Sequence, residues 1–373
     1  MELTLRREEF STLPGWADDA LAPAFAAFRR SAGHALRTGP YRTGSLGLDH
    51  ADFALAYEAA LAESGLLSDS QAREFFEAWF RPVELCPDSG QGFVTGYYEP
   101  VIEVSARPES GYQSPFLRKP ENLVRVPDPD HPPDTIPAGY AFMLDERGVT
   151  TPCPDRQAIE TGALDGQGLE IAWARSRADV FFAHVQGCAR LRFAGGEVKR
   201  ITYAAKSGHP FTGIGRLLVE RGELSAETVS MAEIRAWLAV DADRADRLMR
   251  ENRSYIFFRE ADVEDERLGP VAAAKVPLEP GRSLAVDRRI HSFGTPILVS
   301  APGLEDFDAA RPFARLMIAQ DTGTAIVGPV RGDLFAGTGP VAGDKAGSIK
   351  AAARFMILAP VGSLIARRAG HEQ

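Results

Sequence analysis

Three aspartates carried by short apolar segments, two of them at strand ends and one a turn later, constrain this chain more than any other feature. Arg315-Leu-Met-Ile-Ala-Gln-Asp321 runs into Thr322-Gly323, and Asp333 follows in Gly332-Asp333-Leu334-Phe335, ahead of Gly337-Thr-Gly339. Upstream, Ser283-Leu-Ala-Val-Asp287 brings a third carboxylate to the end of another strand. Strands that end in acids beside glycines point carboxylates from a rigid scaffold into a cleft. The plainer use of any one of them is to cap a turn.

The rest of the chain divides by texture. Within the first ninety residues, Leu21, Phe25 and Phe28 recur on one helical face, as do Phe53, Tyr57 and Leu61. Ser68-x-x-Gln71 predicts a capping box opening a third helix that carries Phe75, Phe76 and Trp79. These aromatics read as core. From Gly92 onward short strands, glycine turns and proline loops take over. Pro127 to Pro137 holds five prolines and reads as a surface loop. Leu191 to Ile201 reads as a hairpin on Gly195-Gly196. Ser230-x-x-Glu233 predicts a helix with Ile234, Trp237 and Leu238 facing inward. From about residue 270 strands return, so the residues alone predict a mainly β protein with helical additions.

Charge and composition exclude several classes. The formal net charge of -9 argues against a polyanion partner, so no nucleic acid is expected. No apolar run approaches the ~20 residues that span a membrane. Met1-Glu-Leu-Thr-Leu-Arg-Arg shows no signal peptide and no lipid-bearing cysteine. Cys86, Cys153 and Cys188 match no metal spacing and read as buried thiols; His184, His209 and His291 make no metal spacing with them or with one another. No metal and no cofactor are implied.

The blocks of sequence also carry a family resemblance. Val-Asp287, Ala-Gln-Asp321-Thr-Gly-x-Ala-Ile-x-Gly328 and Asp333-Leu-Phe-x-Gly337 resemble the three-aspartate domain of the membrane-bound lytic murein transglycosylase A family. Gly92-Phe-Val-Thr95-Gly96-Tyr97-Tyr98-Glu99-Pro100 resembles the family's glycine-tyrosine-tyrosine signature. Phe181 to Gly187, Phe211 to Leu218 and Gly339 to Gly347 follow the family's order, so the resemblance covers roughly residues 90 to 360.

The resemblance implies a six-stranded double-psi β-barrel formed by both ends of the chain, residues 1–103 and 269–373, with N-terminal helices. A smaller inserted β-barrel-like domain, residues 104–268, would line the glycan groove. It implies an exotransglycosylase that cleaves the β-1,4 bond between N-acetylmuramic acid and N-acetylglucosamine in peptidoglycan, leaving a 1,6-anhydro end. Asp333 would be the acid/base, Asp321 a supporting acid, and Asp287 structural. Thr95, Tyr97, Tyr98, Gln186 and Thr212 would bind substrate, the two tyrosines by stacking on sugar rings. Gln186-Gly187-Cys188 departs from the small polar residue and glycine usual in the family, and one extra residue near Pro329 lengthens the turn between Asp321 and Asp333. Arg331 is placed to tune Asp333, with a solvated arginine as the plainer reading. Family membership further implies a monomer at the periplasmic face of the outer membrane or in the periplasm, with cell-wall synthesis or remodelling proteins as partners.

The chemistry is consistent with that implication. Glycoside cleavage needs a proton for the leaving oxygen, and an ordinary hydrolase uses a second carboxylate to direct water. A transglycosylase lets the sugar's own C6 hydroxyl attack, so one carboxyl group serves first as acid and then as base. Three alternatives remain: a water-using wall hydrolase built on Asp333 and Asp321, a non-catalytic peptidoglycan-binding module, and an aspartic protease. The last needs two Asp-Thr-Gly lobes, and the chain has one triplet, preceded by Gln320.

Overall fold

The computed structural model describes residues 3–88, 90–124, 142–144, 147–307 and 309–368. The proline-rich stretch 127–137 lies outside them. The chain forms two compact units, residues 1–98 with 263–373 and residues 99–262. These boundaries differ from the expected 103/104 and 268/269. The first moves because Val101–Ser105 pairs with Cys188–Phe193 and Glu170–Ala174, inside the second unit's own sheet.

The first unit is a nine-stranded mixed sheet with helices. Its order is Leu3–Arg7, Phe80–Pro87, Arg354–Pro360, Pro296–Glu305, Pro312–Asp321, Ser283–Val286, Arg331–Thr338, Phe93–Glu99 and Lys350–Ala352. Ser283–Val286 lies parallel to the Asp321 strand and antiparallel to the Asp333 strand, with Ala285 opposite both aspartates. Placing one short strand between the two acid-bearing strands sets both carboxylates at one end of the sheet. Lys350–Ala352 and Arg354–Pro360 are parts of one stretch that bends at Ala353. The first part pairs with Phe93–Glu99 at the far edge; the second pairs with Phe80–Pro87 and Pro296–Glu305 near the other.

The N-terminal helices form as their sequence predicts. Ala22–Arg37, His50–Ala62 and Asp69–Trp79 pack Phe25, Phe28, Phe53, Tyr57, Phe75 and Phe76 into the main core. Ser68 and Gln71 form the expected capping box, and Asp49 with Asp52 forms another. Phe28 is the hub, its ring 5.4 to 5.9 Å from those of Tyr57, Phe75, Phe76 and Phe80. Two polar anchors tie this layer to the sheet. Asp19 takes a two-pronged hydrogen bond from Arg282 at 2.9 and 2.7 Å and accepts the Leu316 N–H. Gln320, fully buried, donates to Ala27 O and Ser31 Oγ and accepts from Ser283 Oγ. A buried amide with its partners in place costs little, and an orphaned one would cost about 1–3 kcal/mol.

The second unit has a six-stranded sheet ordered Ile256–Glu260, Val198–Lys206, Cys188–Phe193, Val101–Ser105, Glu170–Ala174 and Ser114–Leu117. The hairpin predicted at Gly195-Gly196 is present, its turn closed by Gly196 N–H to Phe193 O. Ser230 caps the helix Met231–Val240, which buries Leu238 and half-buries Ile234 and Trp237 in a cluster with Phe181, Phe182 and Leu248. Glu99, wholly buried at the start of this unit, is paired with Arg190 and Arg200.

Candidate active site

Asp333 sits third on its strand, partly buried between Gly332 and Leu334. Thr95 Oγ1 donates to Asp333 Oδ1 at 2.6 Å. Arg331 Nη2 in turn donates to Thr95 Oγ1 at 2.7 Å. Among the described residues no hydrogen bond reaches Asp333 Oδ2. Burial raises the proton affinity of Asp333, while the Thr95 hydroxyl and the Arg331 charge pull it back. Arg331 is therefore not a solvated arginine. It is half-buried, with its guanidinium 5.7 Å from the Phe93 ring centroid and an N–H on the Gly332 carbonyl.

Asp321 lies at the end of its own strand, surrounded by donors. Tyr97 OH donates to Oδ2 at 3.0 Å, and Thr322 N–H and Ala273 N–H donate to Oδ1 at 2.9 and 3.3 Å. Its pKa is nonetheless raised to about 6, chiefly by burial, with a smaller push from the Asp333 charge. The Ala273 contact had no signal in the sequence. It comes from a turn in which Lys275 adopts φ 62 and its N–H bonds Ala272 O. A non-glycine residue at positive φ is costly, and such positions concentrate at functional sites.

The Tyr97 ring packs 5.3 Å from the Phe335 ring, in a small core with Ala272, Leu278, Ala285 and Ile326. Tyr97 is only 7% exposed, with its ring in this core and its hydroxyl on Asp321. Tyr98, half-buried, lies against Gly343 of the helix Pro340–Ser348, where a Cβ would come within 2.9 Å of its ring. Gly96 is needed for the same packing, since a Cβ there would stand 2.8 Å from Ala346 O.

Asp287 is almost wholly buried, with partners outside the Asp321 and Asp333 pair. It takes a forked pair of hydrogen bonds from the exposed Arg289 and accepts the Gly328 N–H at 3.1 Å. It thereby fastens the loop between Asp321 and Asp333. His291 holds the same loop through Nε2 to Pro329 O at 2.8 Å, the position of the extra residue. Thr95, Tyr97, Asp321 and Asp333 are thus brought together. Gln186 and Thr212 belong to the other unit. Gln186 ends the helix Arg177–Gln186 ahead of left-handed Gly187, and Thr212 donates its backbone N–H to Asn252 Oδ1. No group of three or more potential metal ligands occurs among the described residues.

Residues 93–259 match the MltA specific insert domain, and residues 282–359, which contain Asp287, Asp321 and Asp333, match the 3D domain. An acid-bearing 3D domain that carries this insert defines the class. The fold is similar to a crystal structure of membrane-bound lytic murein transglycosylase from Agrobacterium tumefaciens, with a TM-score of 0.90 and 49% identity over 98% of this chain and 99% of that one. E. coli MltA with bound chitohexaose is also similar, with a TM-score of 0.67 and 26% identity over 96% and 95%. Membrane-bound lytic murein transglycosylase A of Vibrio cholerae is 33% identical over 70% of this chain, and the match spans 63% of that relative's length. The chain belongs to the membrane-bound lytic murein transglycosylase A family.

Proposed function

We propose that this protein is a peptidoglycan lytic transglycosylase in which Asp333 is the single acid/base. The observation that carries the reading is the asymmetry of the Asp333 carboxyl group, with Oδ1 held by Thr95 and Oδ2 without a hydrogen-bond partner among the described residues. A carboxylic acid held in this way accepts at one oxygen and donates from the other. Oδ2–H passes its proton to the glycosidic oxygen as the bond to C1 of N-acetylmuramic acid breaks. The carboxylate then takes the proton of the C6 hydroxyl as that oxygen bonds to C1, closing the 1,6-anhydro ring. Acid and base are regenerated in one cycle, and no water is consumed. Asp321, coupled to Asp333 by charge, supports the positive character that develops at C1.

Further parts of the reading rest on the family. The stretch Lys350–Pro360, bent at Ala353, links Phe93–Glu99 to Pro296–Glu305. Taken as one bent strand, it would join six neighbouring segments, 93–99, 350–360, 296–305, 312–321, 283–286 and 331–338, into a ring. This supports the double-psi barrel. Gln186 and Thr212 are proposed as glycan contacts on the resemblance alone, as are action from strand ends, a periplasmic or outer-membrane location, a monomeric state and wall-remodelling partners. Binding of chitohexaose by the E. coli relative supports a glycan substrate.

The test is digestion of purified murein sacculi in heavy-oxygen water. The expected products end in 1,6-anhydro-N-acetylmuramic acid and carry no label. Labelled reducing ends would replace this reading with the two-carboxylate hydrolase, and no cleavage would leave a binding module.

A further inference from the structure

We propose that Arg331 is a positioning residue that decides which oxygen of Asp333 carries the catalytic proton. This rests on the reading of Asp333 as the acid/base. The argument is one of hydrogen-bond direction. A guanidinium donates and cannot accept. Arg331 Nη2 therefore fills a lone pair of Thr95 Oγ1 at 2.7 Å. Thr95 has one proton to give, and its other short contact is Asp333 Oδ1 at 2.6 Å. If the carboxyl proton sat on Oδ1, two donors would converge on Thr95 and its own proton would find no acceptor among the described residues. With the proton on Oδ2, Arg331 Nη2, the Thr95 hydroxyl and Asp333 Oδ1 all have their partners. The sequence Arg331 to Thr95 to Asp333 is thus directional, and it leaves the acidic hydrogen on the oxygen that no described residue binds.

The backbone makes the relay rigid. Arg331 and Asp333 are two apart on one strand, so their side chains share a face. Arg331 is further held by the Gly332 carbonyl and the Phe93 ring. Thr95 comes from the neighbouring strand Phe93–Glu99. A simple charge effect would need only a cation nearby. The geometry supplies more, a donor-only group on the far side of a hydroxyl. The other titratable groups around this relay are Asp321 at the end of its strand, the Tyr97 phenol on Asp321, and exposed Lys350, opposite Thr95 in register.

The experiment compares Arg331→Met, Arg331→Gln and Arg331→Lys with Thr95→Val and the double variant Thr95→Val/Arg331→Met. It uses turnover on sacculi, pH–rate profiles, melting temperature, and carbon-13 titration of the Asp333 carboxyl group. Glutamine can accept as well as donate, so it loses the directional signal with little loss of volume, and it carries the test if Arg331→Met does not fold. Arg331→Met and Arg331→Gln are expected to lower kcat about 10–100-fold with KM little changed. Their alkaline limb should move to higher pH, and Arg331→Lys should restore most of kcat. In the Thr95→Val background Arg331→Met should add less than about twofold, because the two residues act as one unit. Effects that multiply independently, or an unchanged kcat in folded Arg331→Gln, would overturn the relay. The titration needs no turnover. Should the wild-type protein release no anhydro product, non-additive pKa shifts in the double variant would still support the relay and additive ones would still overturn it.

Discussion

At the residue scale, the three aspartates differ in what folding does to them, and this gives opposite signs for one substitution. Asp321 is pushed to about 6 by burial. It is neutral in the fold below its unfolded value and is held charged at a cost above about 6, so its contribution to stability is lost as pH rises through that window. A shift of this size is worth on the order of 2–3 kcal/mol. Asp321→Asn should therefore raise the melting temperature at pH 7.5 and raise it much less at pH 4. Asp287 is the reverse. Hydrogen bonds from Arg289 and Gly328 hold its carboxyl below the usual range despite burial, so its stabilisation is present above the unfolded pKa and is lost as pH falls. Asp287→Asn should cost about 1–2 kcal/mol at pH 7, with the difference fading in acid. Differential scanning calorimetry across pH checks both signs. Asp333→Asn should lower turnover ~10²–10⁴-fold while the protein stays folded. Asp321→Asn should be impaired less. A folded, inactive Asp321→Asn beside an active Asp333→Asn would mean the roles are exchanged.

At the scale of elements, the site depends on how closely the helix Pro340–Ser348 approaches the strand Phe93–Glu99. Gly96 and Gly343 set that approach. A Cβ on Gly96 would meet Ala346 O at 2.8 Å and Ile349 Cδ1 at 2.6 Å, and the first of these is backbone that must shift. Gly96→Ala should cost about 1–3 kcal/mol, as overpacking does. Turnover should fall as well, because Thr95 and Tyr97 flank the glycine and hold Asp333 and Asp321. Gly195→Ala, in the hairpin turn where a Cβ meets nothing, is the control and should stay within about 0.5 kcal/mol. Denaturant melts and turnover on the same preparations test the pair. Equal behaviour of the two variants would show that the helix contact does not position the site.

At the scale of the whole molecule, the unit that carries the three aspartates is discontinuous in sequence. Phe80–Pro87 pairs with Arg354–Pro360, and Phe93–Glu99 lies between Arg331–Thr338 and Lys350–Ala352. A fragment of residues 1–200 keeps the early strands and loses every one of those partners. It should show no cooperative melting transition by circular dichroism and should have poorly dispersed amide resonances. A fragment that melts cooperatively would show that the early strands do not need the C-terminal half. Such non-local pairing also carries a loop-closure cost that slows folding.

The sequence by itself determined what is local. Helix caps such as Ser68–Gln71 and Ser230–Glu233, the aromatic faces of the first three helices and the Gly195-Gly196 turn are legible because hydrogen bonds and periodicity act within a few residues. Ordered motifs also identified the family and the three aspartates. Only the tertiary structure decided what each polar group does. Tyr97 turned out to serve Asp321 with its hydroxyl from within a core, since strand alternation leaves the facing of either tyrosine open. Ala273 reaches Asp321 through a positive-φ lysine turn that carries no glycine to announce it. Arg331 and Thr95 are 236 residues apart, and a hydrogen bond that long in sequence is written in strand order, not in spacing. Burial, which raises the proton affinity of both Asp321 and Asp333, likewise exists only once the strands have come together.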